Sequence, residues 1–132
     1  MKVCFVGIHH KEGKTPLDSS TKTGMIIDRV IENVGAKCQF EKKNLFPTYT
    51  LPSKDFRDRI SSRFNVQNGV LYVLLGNVVR DHFPAQWINS ILKARHPGFV
   101  MRRGELSVDE YVENLTKSIL ERHRLFHQTE QP

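Results

Sequence analysis

The residues best suited to chemistry fall at four places in the chain. Lys2-Val-Cys-Phe-Val-Gly7 runs into Ile8-His9-His10-Lys11, and then into Gly13-Lys14-Thr15 and Asp18. Asn44 follows an alternating stretch, and His96-Pro97-Gly98 follows an apolar one, with Arg95, Arg102 and Arg103 close by. Gly7 and Gly13-Lys14-Thr15 suggest a phosphate-binding loop, but that motif needs four residues between the first glycine and the Gly-Lys pair. Here there are five, and the amphipathic pattern that should start at Lys14 starts about ten residues later. No acidic residue ends the strand-like run 70–75, so nucleotide hydrolysis lacks its magnesium partner. His9 and His10, with His82 and His96, raise a metal site, but adjacent histidines are poor co-ligands and no carboxylate or cysteine sits at useful spacing. The expected metal content is none. Asp18 stands in a Ser/Thr-rich loop, where an Asx turn is as good an account as a catalytic role.

Elements must bring these places together. Residues 2–7 form a near-continuous apolar run, as in a buried strand. Residues 8–22 are too rich in Gly, Pro, Ser and Thr for regular structure, and loops of ~15 residues in compact domains are usually functional. Met25, Ile26, Ile27, Val30, Ile31 and Val34 share one face of a helix beginning near Gly24 and stopped by Gly35. Residues 36–43 alternate like a half-wet strand closed by Asn44, with a proline-bracketed loop beyond Phe46. A short basic helix over 54–64 carries Arg57, Arg59 and Arg63. Val70 to Leu75 is the expected central strand, followed by a short helix to Phe83. Residues 87–94 read as a fourth strand and 95–98 as a turn. Ser107-Val-Asp-Glu110 is a capping box that opens the last helix, and the polar tail from about residue 124 is expected to fray.

Alternating strands and helices predict an α/β domain, a three-layer α/β/α sandwich with a four-stranded parallel sheet. The loops after all four strands then share one rim: residues 8–22, 44–52, 76–77 and 95–103. There Lys14, Arg95, Arg102 and Arg103 suit phosphates. Phe46 and Tyr49 could stack on a base or pack beneath their loop.

The 132 residues suffice for one domain with a real core, and 39% apolar with 26% charged residues is ordinary for a soluble protein. No run approaches ~18 apolar residues, and no secretory signal is evident, so a cytoplasmic protein without a membrane partner is expected. Cys4 and Cys38 each sit in a strand-like stretch and read as reduced core residues. A net charge of +6 favours a polyanionic partner, nucleic acid above all.

In chain order, these pieces resemble the uracil-DNA glycosylase superfamily, especially its short thermophile-type members, over residues 2–120. A strand leading to a Gly-Glu-Ala-Pro-Gly type motif looks like Gly7-Ile8-His9-His10-Lys11. The Gly-x-Pro-Phe and Gly-x-Leu-Leu-Asp motifs look like Lys14-Thr15-Pro16-Leu17 and Gly24-Met25-Ile26-Ile27-Asp28. Asn44-Leu45-Phe46-Pro47, Leu75-Gly76 and His96-Pro97-Gly98 continue the set. The resemblance implies hydrolysis of the N-glycosidic bond of uracil or a deaminated base in DNA; the cysteines of an iron–sulfur cluster are absent here, and no metal or other cofactor is expected. It implies that Asn44 reads the base edge, that His96 faces the charge developing on the base, and that Leu17 occupies the stacking position. Ile8 stands where the family has an acid, Leu17 where it has an aromatic and Gly98 where it has a serine. His9, His10 and Asp18 are then the groups to take the water-activating role. A catalytically inactive nucleic-acid- or nucleotide-binding module that keeps the fold is the alternative, and an unrelated nucleotide-binding enzyme of the same sheet class is a third.

Overall fold

The computed structural model describes residues 1–9, 13–46, 53–61, 64–84 and 90–130. His10, Tyr49, Trp87 and Arg63, singled out above or set inside a predicted element, lie outside them. Four strands, β1 (Lys2–His9), β2 (Gln39–Phe46), β3 (Val70–Leu75) and β4 (Ile91–Ala94), form one parallel sheet in the order β2-β1-β3-β4. The helices are α1 (Lys22–Val34), α2 (Lys54–Ser61), α3 (Asn77–His82), α4 (Pro97–Arg103) and α5 (Val108–Glu130).

The strands sort themselves by wetness. Every residue of β3 is buried, as suits a central parallel strand covered on both faces. Edge strand β2 starts exposed at Gln39 and is only part-buried until Leu45 and Phe46. Alternate side chains of β1 and β3 supply the two cores. Val3 and Phe5 with Leu71, Val73 and Leu75 meet Ile27 and Val30 of α1, Val100 of α4 and Val112, Leu115 and Ile119 of α5. Cys4 and Val6 with Val70, Tyr72 and Leu74 meet Val79 of α3, Phe83 and Phe46. Helix α2 packs against β2 and α3. Helices therefore cover both faces of the sheet, the three-layer α/β arrangement expected from the element order. Each such aliphatic or aromatic side chain contributes about 1.5–3 kcal/mol on burial. Both thiols are free and buried, and burial pushes Cys4 up to about 12, so it is an inert core thiol.

Several boundaries differ from the sequence expectation. Residues 35–37 continue α1 as a 3₁₀ turn, and β2 runs from Gln39 to Phe46 instead of stopping at Lys43. The cause is register: β1 extends to His9, and pairing from Lys2↔Gln39 to His9↔Phe46 carries β2 with it. Asn44 consequently lies inside β2, opposite Gly7. Helix α1 starts two residues earlier than Gly24, because the Thr21 side chain caps it. Met25, expected on its buried stripe, is 56% exposed, and Gly24 takes the inward position. The expected turn at residues 95–98 is the start of a helix, since Pro97 fits its first position. The Ser107–Glu110 cap forms, with the Glu110 N–H donating to Ser107 Oγ at 3.1 Å. Helix α5 continues through the polar segment after His123 to Glu130. Among the described residues no helix is long and apolar enough to cross a membrane.

Candidate functional site

Parallel strands place the loops that follow them along one rim. The sheet order changes direction between β1 and β3, because β2 lies on one side of β1 and β4 beyond β3. Crevices at such switch points are where ligands bind in open α/β sheets. A pocket of ≈ 150 Å³ opens there, lined by Gly7 and Ile8 from β1, Asn44 from β2, His96 after β4, and loop and helix-start residues between Lys14 and Thr23.

The loop is wound around Asp18. One carboxylate oxygen accepts from the Thr15 N–H at 3.1 Å and the Thr15 hydroxyl at 3.0 Å; the other accepts from the Ser20 N–H at 2.9 Å. The Ser20 amide and hydroxyl, followed by those of Thr15, hold the Asp18 carboxyl well below the usual carboxylate range. It is a fixed negative charge. The Asp18 carbonyl in turn accepts from the Thr21 N–H at 2.9 Å and the Thr21 hydroxyl at 2.7 Å. Thr21 Oγ1 then accepts from the Gly24 N–H, which joins the loop to the first turn of α1. A Cβ at Gly24 would lie 1.9 Å from the Asp18 carbonyl oxygen, so only glycine allows this approach.

Leu17 has φ +48°, the only positive-φ residue other than glycine among the described residues. Left-handed backbone costs a residue of this kind about 1–2 kcal/mol. Lys42 Nζ offsets part of that cost by donating to the Leu17 carbonyl at 2.9 Å, while pairing with Asp28 at 2.6 Å. The Leu17 side chain comes to lie over Gly7, where an added Cβ would be 3.1 Å from Leu17 Cδ2 and 2.9 Å from Asn44 Oδ1. Glycine at position 7 thus lets an apolar wall and an amide close over the end of β1.

His96 is fixed from both sides. Its Nδ1 accepts from the Gly98 N–H at 3.1 Å, which assigns a neutral ring proton to Nε2. The Tyr111 hydroxyl of α5 donates to the carbonyl of the preceding residue, Arg95, at 2.5 Å. Lys14 Nζ donates to Ser20 Oγ at 2.6 Å on the loop side of the pocket.

Five of the residues given catalytic, base-binding or phosphate roles from sequence therefore meet at one pocket, Lys14, Leu17, Asp18, Asn44 and His96, with Gly7 and Ile8 of the first motif beside them. Phe46 does not join them. It is fully buried in the core beside Val79 and Phe83 and set edge-on to His82, so its ring serves packing. Arg95, Arg102 and Arg103 lie at α4, outside the pocket lining. His10 lies outside the described residues. Thr15 entered the sequence reading only through the Gly-Lys-Thr and Lys14–Leu17 patterns, and Thr21 and Thr23 were not singled out as lining residues. Thr21 carried a signal, since a threonine just before an apolar helical period is a cap candidate. Among the described residues, no group of three or more His, Cys, Asp or Glu side chains gathers in a way that could hold a metal. No protein-family model, curated protein or solved structure matches this chain.

Proposed function

We propose that the pocket accepts a single base flipped out of DNA and hydrolyses its N-glycosidic bond, the activity of the uracil-DNA glycosylase superfamily that the chain resembles. The observation that carries this reading is the convergence of Asn44, His96 and Asp18 on one small crevice. Its ≈ 150 Å³ is below the ~300–1,000 Å³ of pockets for drug-sized ligands and suits one small heterocycle. The Asn44 amide offers both a donor and an acceptor to the polar edge of such a ring. Leu17 supplies the apolar wall. As the C1′–N bond breaks, its electron pair leaves with the base, and the Nε2–H of His96 stabilises the charge that develops on the base oxygen. The cation left on the sugar is matched by the Asp18 carboxylate, whose pKa the Ser20 and Thr15 hydrogen bonds lower. Water adds to C1′ and loses its proton to solvent, so a carboxylate too acidic to serve as an efficient general base still contributes electrostatically.

The superfamily's acid is Ile8 here, and both Asp18 oxygens are engaged by Thr15 and Ser20. Those two facts favour the second reading, a module that binds a flipped base or nucleotide without cleaving it. Incubation with uracil- and hypoxanthine-containing oligonucleotides, followed by alkaline cleavage of abasic sites, separates the two. The first reading expects strand breaks that fall about 10²–10³-fold in rate in His96→Ala, the cost of losing one such donor. A salt-sensitive gel shift without breaks would transfer the assignment to the binding module.

A further inference from the structure

Helix α4 leads away from the pocket and carries a charge arrangement that the pocket does not use. Phe99 on its outer face is 41% exposed. The guanidinium carbons of Arg103 and Arg95 stand 5.3 and 5.9 Å from its ring centre. At the end of the helix the Gly104 N–H donates to the Met101 carbonyl and the Glu105 N–H to the Val100 carbonyl, with Gly104 at φ +66°. This turn folds the chain back and sets the Glu105 carboxylate against both arginines. Arg95 Nη1 pairs with Glu105 Oε2, and Arg103 Nε lies 3.6 Å from Glu105 Oε1. Both arginine side chains remain more than half exposed.

An exposed aromatic ring flanked by two guanidinium groups fits single-stranded nucleic acid, where bases stack on side-chain rings and phosphates pair with arginine. A carboxylate bridging two guanidinium groups holds the place that a phosphodiester oxygen pair would take, with the same sign of charge and the same forked geometry. We propose that the Arg95–Phe99–Arg103 surface is a landing platform for the single strand running past the pocket. Glu105 is its built-in competitor, displaced when a phosphate arrives. The proposal rests on the nucleic-acid partner of the preceding reading and is independent of glycosidic cleavage.

The test measures fluorescence anisotropy of a labelled single-stranded oligonucleotide of ordinary bases, at low salt, with the full chain. Glu105→Gln is compared with Glu113→Gln, which raises the net charge equally and removes the exposed pair with Lys117 on α5 (2.9 Å). Exposed ion pairs are weak, so Glu105→Gln is expected to tighten binding about three- to tenfold. Glu113→Gln is expected to stay within about twofold of the wild type. Phe99→Ala is expected to weaken binding about fivefold or more, the loss of one stacked base. Equal tightening by both glutamine variants would show a net-charge effect and overturn the role of Glu105, as would no tightening by either. An unchanged affinity in Phe99→Ala would remove the stacking surface. If wild type binds no oligonucleotide even at low salt, the nucleic-acid reading falls with the platform. Absence of base excision alone leaves the platform standing.

Discussion

Asp18 shows how one side chain can organise a loop. Its carboxylate collects Thr15 and Ser20, its carbonyl collects Thr21, and that cap delivers the loop onto Gly24. A methyl group at position 24 would meet backbone, which cannot rotate away as a flexible side chain can. Gly24→Ala is therefore expected to destabilise the fold by about 3 kcal/mol, the upper range for overpacking, although alanine favours helix more than glycine. Chemical denaturation checks it; a stabilised variant would mean that the loop does not rest on α1. At this scale the sequence was informative about chemistry and weak on direction. Asn44, His96 and Asp18 have side chains whose types declare possible roles, and all three line the pocket. Phe46 has an equally suggestive type, yet it is fully buried with Leu45 in the core beside Val79 and Phe83, and an aromatic type alone does not tell a stacking ring from a core ring.

The elements are braced across the loop by Lys42 of β2, which joins Asp28 of α1 to the Leu17 carbonyl. Burial alone would raise the Asp28 carboxyl, but hydrogen bonds from Lys42 and Ser19 and the charge of Lys42 outweigh it and hold Asp28 below its ordinary value. A carboxyl depressed on folding stabilises the native state above its unfolded pKa of ~3.9, and that contribution is lost as pH falls through the lower folded value. Asp28 is 39% exposed in its side chain, so solvent screening keeps the effect at or below about 1 kcal/mol. Asp28→Asn is expected to melt a few degrees below wild type at pH 7 and together with it at about pH 2. A difference that persists unchanged in acid would show that packing, not charge, is responsible. This brace was not legible in the sequence: Lys42 and Asp28 lie 14 residues apart in different elements, and no local spacing pairs a strand lysine with a helix aspartate. Helix α4 was hidden for a local reason. His-Pro-Gly has the composition of a turn, and the same residues also make a helix start, with His96 as cap and Pro97 at the first position.

At the scale of the molecule, the parallel sheet was the most legible feature. The apolar runs at residues 3–6 of β1 and 70–75 of β3 are continuous, and alternation of strands with helices leaves few topologies open. That topology puts the ends of β1, β2 and β4 on one rim, and a chain of net charge +6 presents further basic groups at α4 beside it. Electrostatics of this sign attracts any polyanion and does not by itself select a reaction. Selection rests on the pocket. The measurement that reaches it most directly is chromatographic detection of free base released from a uracil-containing single-stranded oligonucleotide, with the undamaged sequence as reference. Hydrolysis at the pocket is expected to accumulate free uracil with an intact abasic strand, and none from the reference. Oligonucleotide bound by the protein with no base released over many hours would contradict it.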